Sequence, residues 1–379
     1  LEGEIRLFLA LRELKHAKFR YVMMSIIIIL IAWLVFILSG LGNGLSTLSA
    51  ATVKNLNADY VVYEKGADAT FSKSILSATM MNEIKQRKDV EDAAVFGSSM
   101  ASVSKEKTDD SGKKTDVAIV GIEASSFIEP KVIEGKQLSA QNKNGVLANR
   151  GLKDEGYKIG DELVVSNSTL KLSIIGFVEN ETFNHLPVLF TNIATWREYQ
   201  YAAPGADNGI ENPVQAIVVK APQLNTTKLD QSINGIETVT KSTAVSEMPG
   251  YKEENGTIVM MLAFLMVISA FIISVFFYVI TIQKTSQFGV LKAIGASNRF
   301  LAKAVVSQVF LLSVFGIAVG IALTYLTALA FPKNMPFHLD GQLVILYAIA
   351  LLVISLLSSL VSVRQITKID PLTALGRVD

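Results

Sequence analysis

Four apolar runs divide this chain: residues 21–42, 257–282, 304–331 and 343–363 carry no Asp, Glu, Lys or Arg between them. Each reaches the roughly 20 residues an α-helix needs to cross a hydrocarbon core, so the pattern predicts four transmembrane helices. The first run exceeds the apolar core of a signal peptide, about 7–15 residues, and a long basic stretch precedes it, so it is expected to stay as an anchor. That stretch, residues 1–20, sets Ile5, Phe8, Leu9, Leu11 and Leu14 among Arg6, Arg12, Lys15 and Lys18. Such a pattern suits an amphipathic segment lying on the inner membrane surface, or a basic flank that only orients the first span.

Between the first and second runs, over residues 43–256, the period changes. Residues 58–63, 117–122, 162–165, 170–178, 187–190, 214–220 and 237–245 read as strands, rich in Val, Ile and Tyr. Residues 72–88 read as an amphipathic helix through Ile75, Leu76, Met80 and Ile84, with further helices around Trp196 and Tyr199 and over 228–236. The charged stretch KEKTDDSGKKT at 105–115 reads as a hairpin tip. Nothing repeats at a fixed period. The fold class expected is therefore an α-helical membrane protein with a large α+β domain between helices 1 and 2.

Lys and Arg orient the spans, because cytoplasmic loops carry their excess. They crowd residues 1–20, the segment 283–303 and the tail 364–379, whereas the short loop 332–342 has only Lys333. Both termini are expected inside and the α+β domain outside.

Composition narrows the function. Half of the 379 residues are hydrophobic and the net charge is +1, which leaves no surplus of cations to neutralise nucleic-acid phosphates. The absence of cysteine removes disulfides, thiolate metal sites and cysteine nucleophiles. There is no H-E-x-x-H, G-x-S-x-G or G-x-x-x-x-G-K-[ST]. Ser102 and Lys105 form an isolated S-x-x-K, and His16, His185 and His338 are scattered. The chain reads as no enzyme, and any ATP-driven activity has to borrow its nucleotide site from another chain. Uncharged spans also argue against a proton or ion relay.

The order of parts, together with FFYVITIQKTSQFGVLKAIGASNR at 276–299 and KIDPLTALG at 368–376, resembles the permease subunits of MacB- and FtsX-type ABC transporters. In the tail, Asp370 caps a helix start that Pro371 favours. The resemblance implies a homodimer in membrane lipid, served by a cytoplasmic ABC ATPase that binds the ATP, with no cofactor of its own. It assigns ATPase coupling to Lys284, Phe288, Gly289, Leu291, Lys292, Ile294, Gly295 and Arg299.

The likeness extends to haem-efflux permeases of this family through residues 17–21, Tyr60-Val61-Val62, residues 73–76 and Tyr251. The chain departs from them in carrying Phe183-Asn184 where a tyrosine can stand, and in lacking aromatics over 47–56. What this implies is haem as cargo, with His185 and Tyr251 as candidate ligands and Trp33, Phe36 and Phe277 as apolar walls. Export of antimicrobial peptides or other amphipathic toxic compounds, or FtsX-like mechanotransmission without transport, are the alternatives.

Overall fold

The computed structural model describes residues 18–106, 114–332 and 335–367. The amphipathic N-terminal segment, the centre of the charged tip and the tail with Asp370 and Pro371 lie outside them. In chain order the helices are α1 (Lys18–Asn55), α2 (Thr79–Lys85), α3 (Arg150–Asp154), α4 (Ile193–Gln200), α5 (Thr226–Ser232), α6 (Lys241–Ser246), α7 (Tyr251–Gln283), α8 (Thr285–Ala293), α9 (Asn298–Ala330) and α10 (Gly341–Thr367). The strands are β1 (Tyr60–Glu64), β2 (Leu76–Ser77), β3 (Asp92–Lys105), β4 (Thr115–Ile122), β5 (Val132–Gly135), β6 (Gly145–Asn149), β7 (Glu162–Val165), β8 (Lys171–Val178), β9 (Thr182–Phe183), β10 (Leu186–Asn192), β11 (Pro213–Val214), β12 (Ala216–Lys220) and β13 (Ile236–Thr240). The chain forms two compact units, one of residues 1–44 with 256–379, the other of Leu45–Asn255.

The first unit is helical. Among the described residues four helices, α1, α7, α9 and α10, are long and apolar enough to cross a membrane. Lipid offers no hydrophobic drive between such helices, so close backbone approach has to come from small residues. Gly316 and Gly320, one turn apart on α9, supply it against α1. A Cβ at Gly316 would stand 2.5 Å from Ile28 Cγ2, and one at Gly320 2.7 Å from Ala32 Cβ. Serine joins another pair, since Ser358 Oγ of α10 donates to the Ala270 carbonyl of α7 at 3.1 Å.

The second unit is built on one sheet of order β13-β1-β12-β3-β4-β10-β6-β8-β5, with β7 bridging β3 and β8. Neighbours along this order are antiparallel except β4 with β10 and β6 with β8, which run parallel. Side chains alternate across the sheet, as the two-residue period of a strand requires. Val62, Val95, Ile119 and Leu189 enter one core with Ile84 of α2, Leu152 of α3, Trp196 of α4 and Leu229 of α5. Val61, Tyr63, Phe96, Val120 and Phe190 enter the other, with Ala50 and Val53 of α1 and Ala244 and Val245 of α6. Both faces are thus covered, and an α+β domain follows the first span.

Trp196 keys α4 onto the sheet. Gly97 of β3 and Gly121 of β4 are register partners, and together they leave a floor for the indole. A Cβ at Gly97 would lie 2.4 Å from the ring, and one at Gly121 2.5 Å from Trp196 Cβ. The indole Nε1 donates to Ser99 Oγ at 2.8 Å, and Tyr201 meets the ring edge-on at 5.6 Å between centroids.

Two local expectations change. The helix expected over 72–88 shrinks to α2, because Ser74 and Ile75 are held at the end of β1: Ser74 Oγ accepts from Glu64 N at 2.8 Å and Glu64 Oε2 accepts from Ile75 N at 3.0 Å. The strand expected over 237–245 ends at Thr240, whose hydroxyl caps α6 by accepting from Thr243 N at 3.2 Å. The S-x-x-K pair has separate structural duties. Ser102 Oγ bonds Asp116, and Lys105 Nζ pairs with Asp161 at 2.6 Å. Burial works to raise the Asp161 carboxyl, but the hydrogen bonds from Lys105 and from the Lys158 N–H, with the charges of both lysines, together outweigh it and hold the group below the usual range.

Candidate functional site

The segment after α7 is a short helix rather than an open turn. α8 is capped by Lys284, runs over Thr285–Ala293 and is stopped at Gly295, which adopts φ +102°, a conformation a side chain would strain. Gly295 N donates to the Lys292 carbonyl at 3.0 Å and Ala296 N to the Leu291 carbonyl at 2.9 Å. Those two bonds are the crossed pair of a Schellman stop, which satisfies carbonyls the helix leaves open. Ser297 then starts α9 by accepting from Phe300 N at 3.2 Å.

The eight residues assigned to coupling separate into an inner and an outer set. Phe288 and Gly289 are buried, Phe288 in a cluster with Tyr21, Phe277, Leu301 and Val305. Lys284 is buried as well: its Nζ donates to Tyr21 Oη at 2.6 Å and lies 5.3 Å from the centre of that ring. Tyr21 Oη in turn reaches Gln308 Oε1 of α9 at 3.4 Å. Lys284 and Phe288 therefore fasten α8 to α1 and α9, and neither they nor the buried Gly289 are surface contacts. Leu291 and Lys292 are half-buried, while Gly295, Arg299 and Ile294 are exposed, Ile294 to 77%. A patch with an aliphatic tip, Ile294, and an exposed cation, Arg299, remains on a helix whose inner side chains pack against α1 and α9.

The aromatic residues expected to wall a cargo site are not brought together. Phe36 is fully buried in a cluster with Leu262 of α7, and Trp33 donates its Nε1 to Thr327 Oγ1 at 3.1 Å. Phe277 belongs to the cluster beneath α8. It lies 15 residues beyond Leu262 on α7, about 22 Å along the helix axis at 1.5 Å per residue.

His185 and Tyr251, in the second unit, sit around a break in α1. Ala50 leaves helical geometry with φ −141° and ψ 15°, which releases carbonyls of the preceding turn. The two-residue turn between β9 and β10 takes them up. Asn184 and His185 adopt φ +48° and +64°, the positive values of a type I′ turn. Asn184 N donates to the Ser49 carbonyl at 2.9 Å, and His185 N to the Leu48 carbonyl at 3.1 Å. Thr182 Oγ1 adds a bond to the Thr47 carbonyl at 3.1 Å.

This turn delivers the imidazole to a polar cluster. His185 Nε2 lies 3.0 Å from Ser49 Oγ and 2.9 Å from Glu254 Oε1, while Ser49 Oγ donates to Glu254 Oε2 at 2.7 Å. Serine, histidine and glutamate here do not make a hydrolase triad, which needs the acid on the opposite ring nitrogen from the serine. Beside them Lys54 Nζ donates to Ser46 Oγ at 2.8 Å, Ser46 Oγ donates to Tyr251 Oη at 3.0 Å, and Lys54 lies 5.1 Å from the Tyr251 ring centre. Sequence reasoning found His185 and Tyr251 but missed Ser46, Ser49, Lys54 and Glu254. A charged pair flanking the ends of two apolar runs was the available signal.

The family model of the MacB-like periplasmic core domain matches residues 22–236, and that of the FtsX-like permease C-terminal region matches residues 259–371. A Staphylococcus epidermidis protein, provisionally named the hemin transport system permease protein HrtB, is 26% identical over 97% of this chain and 99% of its own length. An uncharacterized ABC transporter permease of Mycobacterium tuberculosis is 25% identical over 98% of this chain and 99% of its own. The crystal structure of the periplasmic region of MacB from Actinobacillus actinomycetemcomitans aligns at TM-score 0.37 and 14% identity, covering 50% of this chain and 92% of that one.

Proposed function

This chain belongs to the family of ABC transporter permeases with a MacB-like periplasmic core domain and an FtsX-like C-terminal region, and we propose that it is the membrane subunit of an ATP-driven exporter. A permease of this kind requires a partner ATPase. In the proposed assembly two copies of the chain pair in the membrane, both termini and α8 face the cytoplasm, and an ATPase sits beneath each copy.

The observation that carries the proposal is the split character of α8. Ile294 is offered to a partner, while Lys284 and Phe288 tie the same helix to Tyr21 of α1 and to Leu301 and Val305 of α9. ATP-driven closure of the ATPases pushes on Ile294. The push reaches α1 and α9 through packed side chains, and α1 and α7 lead in sequence into the outer domain.

Haem is the cargo proposed. Its support is the similarity to a relative named for hemin transport, together with a histidine and a tyrosine, both common axial ligands of haem iron, in one half-exposed polar cluster. His185 Nε2 already touches Ser49 and Glu254, so ligation there would proceed by breaking those contacts. Tyr251 is the simpler ligand, since among the described residues its oxygen is engaged by Ser46 alone. Titrating hemin into the purified full-length protein is expected to give a saturable Soret shift. Tyr251→Ala should weaken that binding at least tenfold, with His185→Ala weakening it less. A wild-type protein without a Soret change would remove haem as cargo and leave the exporter standing.

A further inference from the structure

The outer domain also holds a cavity of about 530 Å³, apart from the histidine and tyrosine cluster. Its size falls within the range of small-molecule sites, roughly 300–1,000 Å³. Phe127, half-buried, and the exposed Ile133 offer apolar surface, and Thr52, Asn55 and Glu181 supply polar atoms. All five belong to the Leu45–Asn255 unit.

Glu181 is 6% exposed, and its backbone is fixed in place: its carbonyl accepts from Asn149 Nδ2 and from Val188 N at 3.2 Å. One side-chain oxygen accepts from Asn55 Nδ2 at 3.1 Å. Among the described residues no Lys, Arg or His forms an ion pair with it. Burial raises the proton affinity of this carboxyl above that of an ordinary glutamate. A buried carboxylate without a counter-cation is costly, and either a proton or an incoming cation relieves it.

Thr52 lines the same cavity, with its Oγ1 buried against the Glu181 carboxyl and, among the described residues, no other hydrogen-bond partner. The other acids of the cavity are already engaged. Glu129 accepts from Ser125 N at 2.7 Å and Leu138 N at 2.9 Å, and Glu179 pairs with Arg150 at 2.9 Å. Lys131 is exposed at the rim. Glu181 is thus the acid left to receive a charge.

We propose that this cavity binds a molecule carrying a primary ammonium on an apolar body, with the ammonium on the Glu181 carboxylate and Thr52 Oγ1 and the body against Phe127 and Ile133. An ammonium fits because it brings N–H donors to both acceptors at once. The site is separate from His185 and Tyr251, so it stands or falls independently of haem.

Calorimetric titration of the full-length protein in lipid nanodiscs tests the proposal with two probes of similar shape, tryptamine and indole-3-propionate. Tryptamine should bind the wild type at least tenfold more tightly. Its affinity should rise with pH as the Glu181 carboxyl ionises, because only the carboxylate attracts the ammonium; Glu129, Lys131 and Glu179 are the other charged groups facing the cavity. Glu181→Gln, which keeps the side-chain shape, should cost tryptamine at least tenfold and erase that pH dependence. Thr52→Val should cost severalfold with an unchanged melting temperature. Equal wild-type affinity for the two probes overturns the proposal without recourse to any variant, and so does tryptamine binding unchanged in a folded Glu181→Gln protein.

Discussion

Ile294→Asp is expected to abolish ATP-coupled transport in a protein that still inserts, folds and melts like the wild type. The side chain is 77% exposed, so the substitution removes no internal packing. At the centre of a docked interface a large apolar side chain contributes about 2 kcal/mol or more, about thirtyfold in affinity, and a desolvated carboxylate in its place adds a further penalty. Transport and ATPase stimulation in proteoliposomes containing both subunits should therefore fall by at least tenfold. Phe288→Asp cannot serve the same purpose, because it would put a charge into the cluster of Tyr21, Phe277 and Leu301 and disrupt the bundle itself. Leu291, half-buried, would mix the two effects. Normal transport by a folded Ile294→Asp protein would sink the docking role of α8.

The largest stability effect is expected from Trp196→Ala. The indole is fully buried over Gly97 and Gly121, and its removal leaves a void that two glycines cannot fill. Such truncations cost about 3–5 kcal/mol. It also removes one of the two bonds of the Ser99 hydroxyl, which accepts from the indole Nε1 and donates to Gln200 Oε1. Thermal melting of the full chain followed by circular dichroism should show the outer domain unfolding some 6–20 °C earlier, on the usual scale of about 2–4 °C per kcal/mol for domains of this size. A shift below about 2 °C would show that α4 is not held by this contact.

The membrane part of the fold was legible because a long uncharged apolar run can satisfy its backbone in lipid only as a helix. The helices nevertheless extend beyond those runs, α1 to Asn55 rather than residue 42, since nothing in residues 43–49 ends a helix and the break comes only at Ala50. In the outer domain, β4, β7 and β8 stood out through Val, Ile and Leu. The strand at the centre of the sheet, β3, did not: its DAAVFGSSMASVSK is rich in Ala and Ser, which pack there under Trp196 and beside α2 instead of displaying a β pattern. Strand order was out of reach, because it depends on pairings between residues far apart in the chain.

Much the same holds for the functional residues. A basic, glycine-bearing segment identified α8, but not which of its residues turn inward. Lys284 is buried because Tyr21, more than two hundred residues earlier, places a phenol oxygen where the ammonium can reach it. His185 was visible as an isolated histidine, and its partners were not. They meet it only because Ala50 breaks α1 and the Asn184-His185 turn binds the carbonyls so released.

The chain contains no cysteine, so Ile294→Cys places a single thiol on the outward tip of α8. In cells that co-express the partner ATPase, this thiol is expected to resist a membrane-impermeant maleimide applied from outside and to cross-link to a cysteine scanned along the ATPase surface, with a yield that changes when ATP binds. Labelling of intact cells by the impermeant reagent, or the absence of a cross-link at every ATPase position, would contradict the coupling role proposed for this helix.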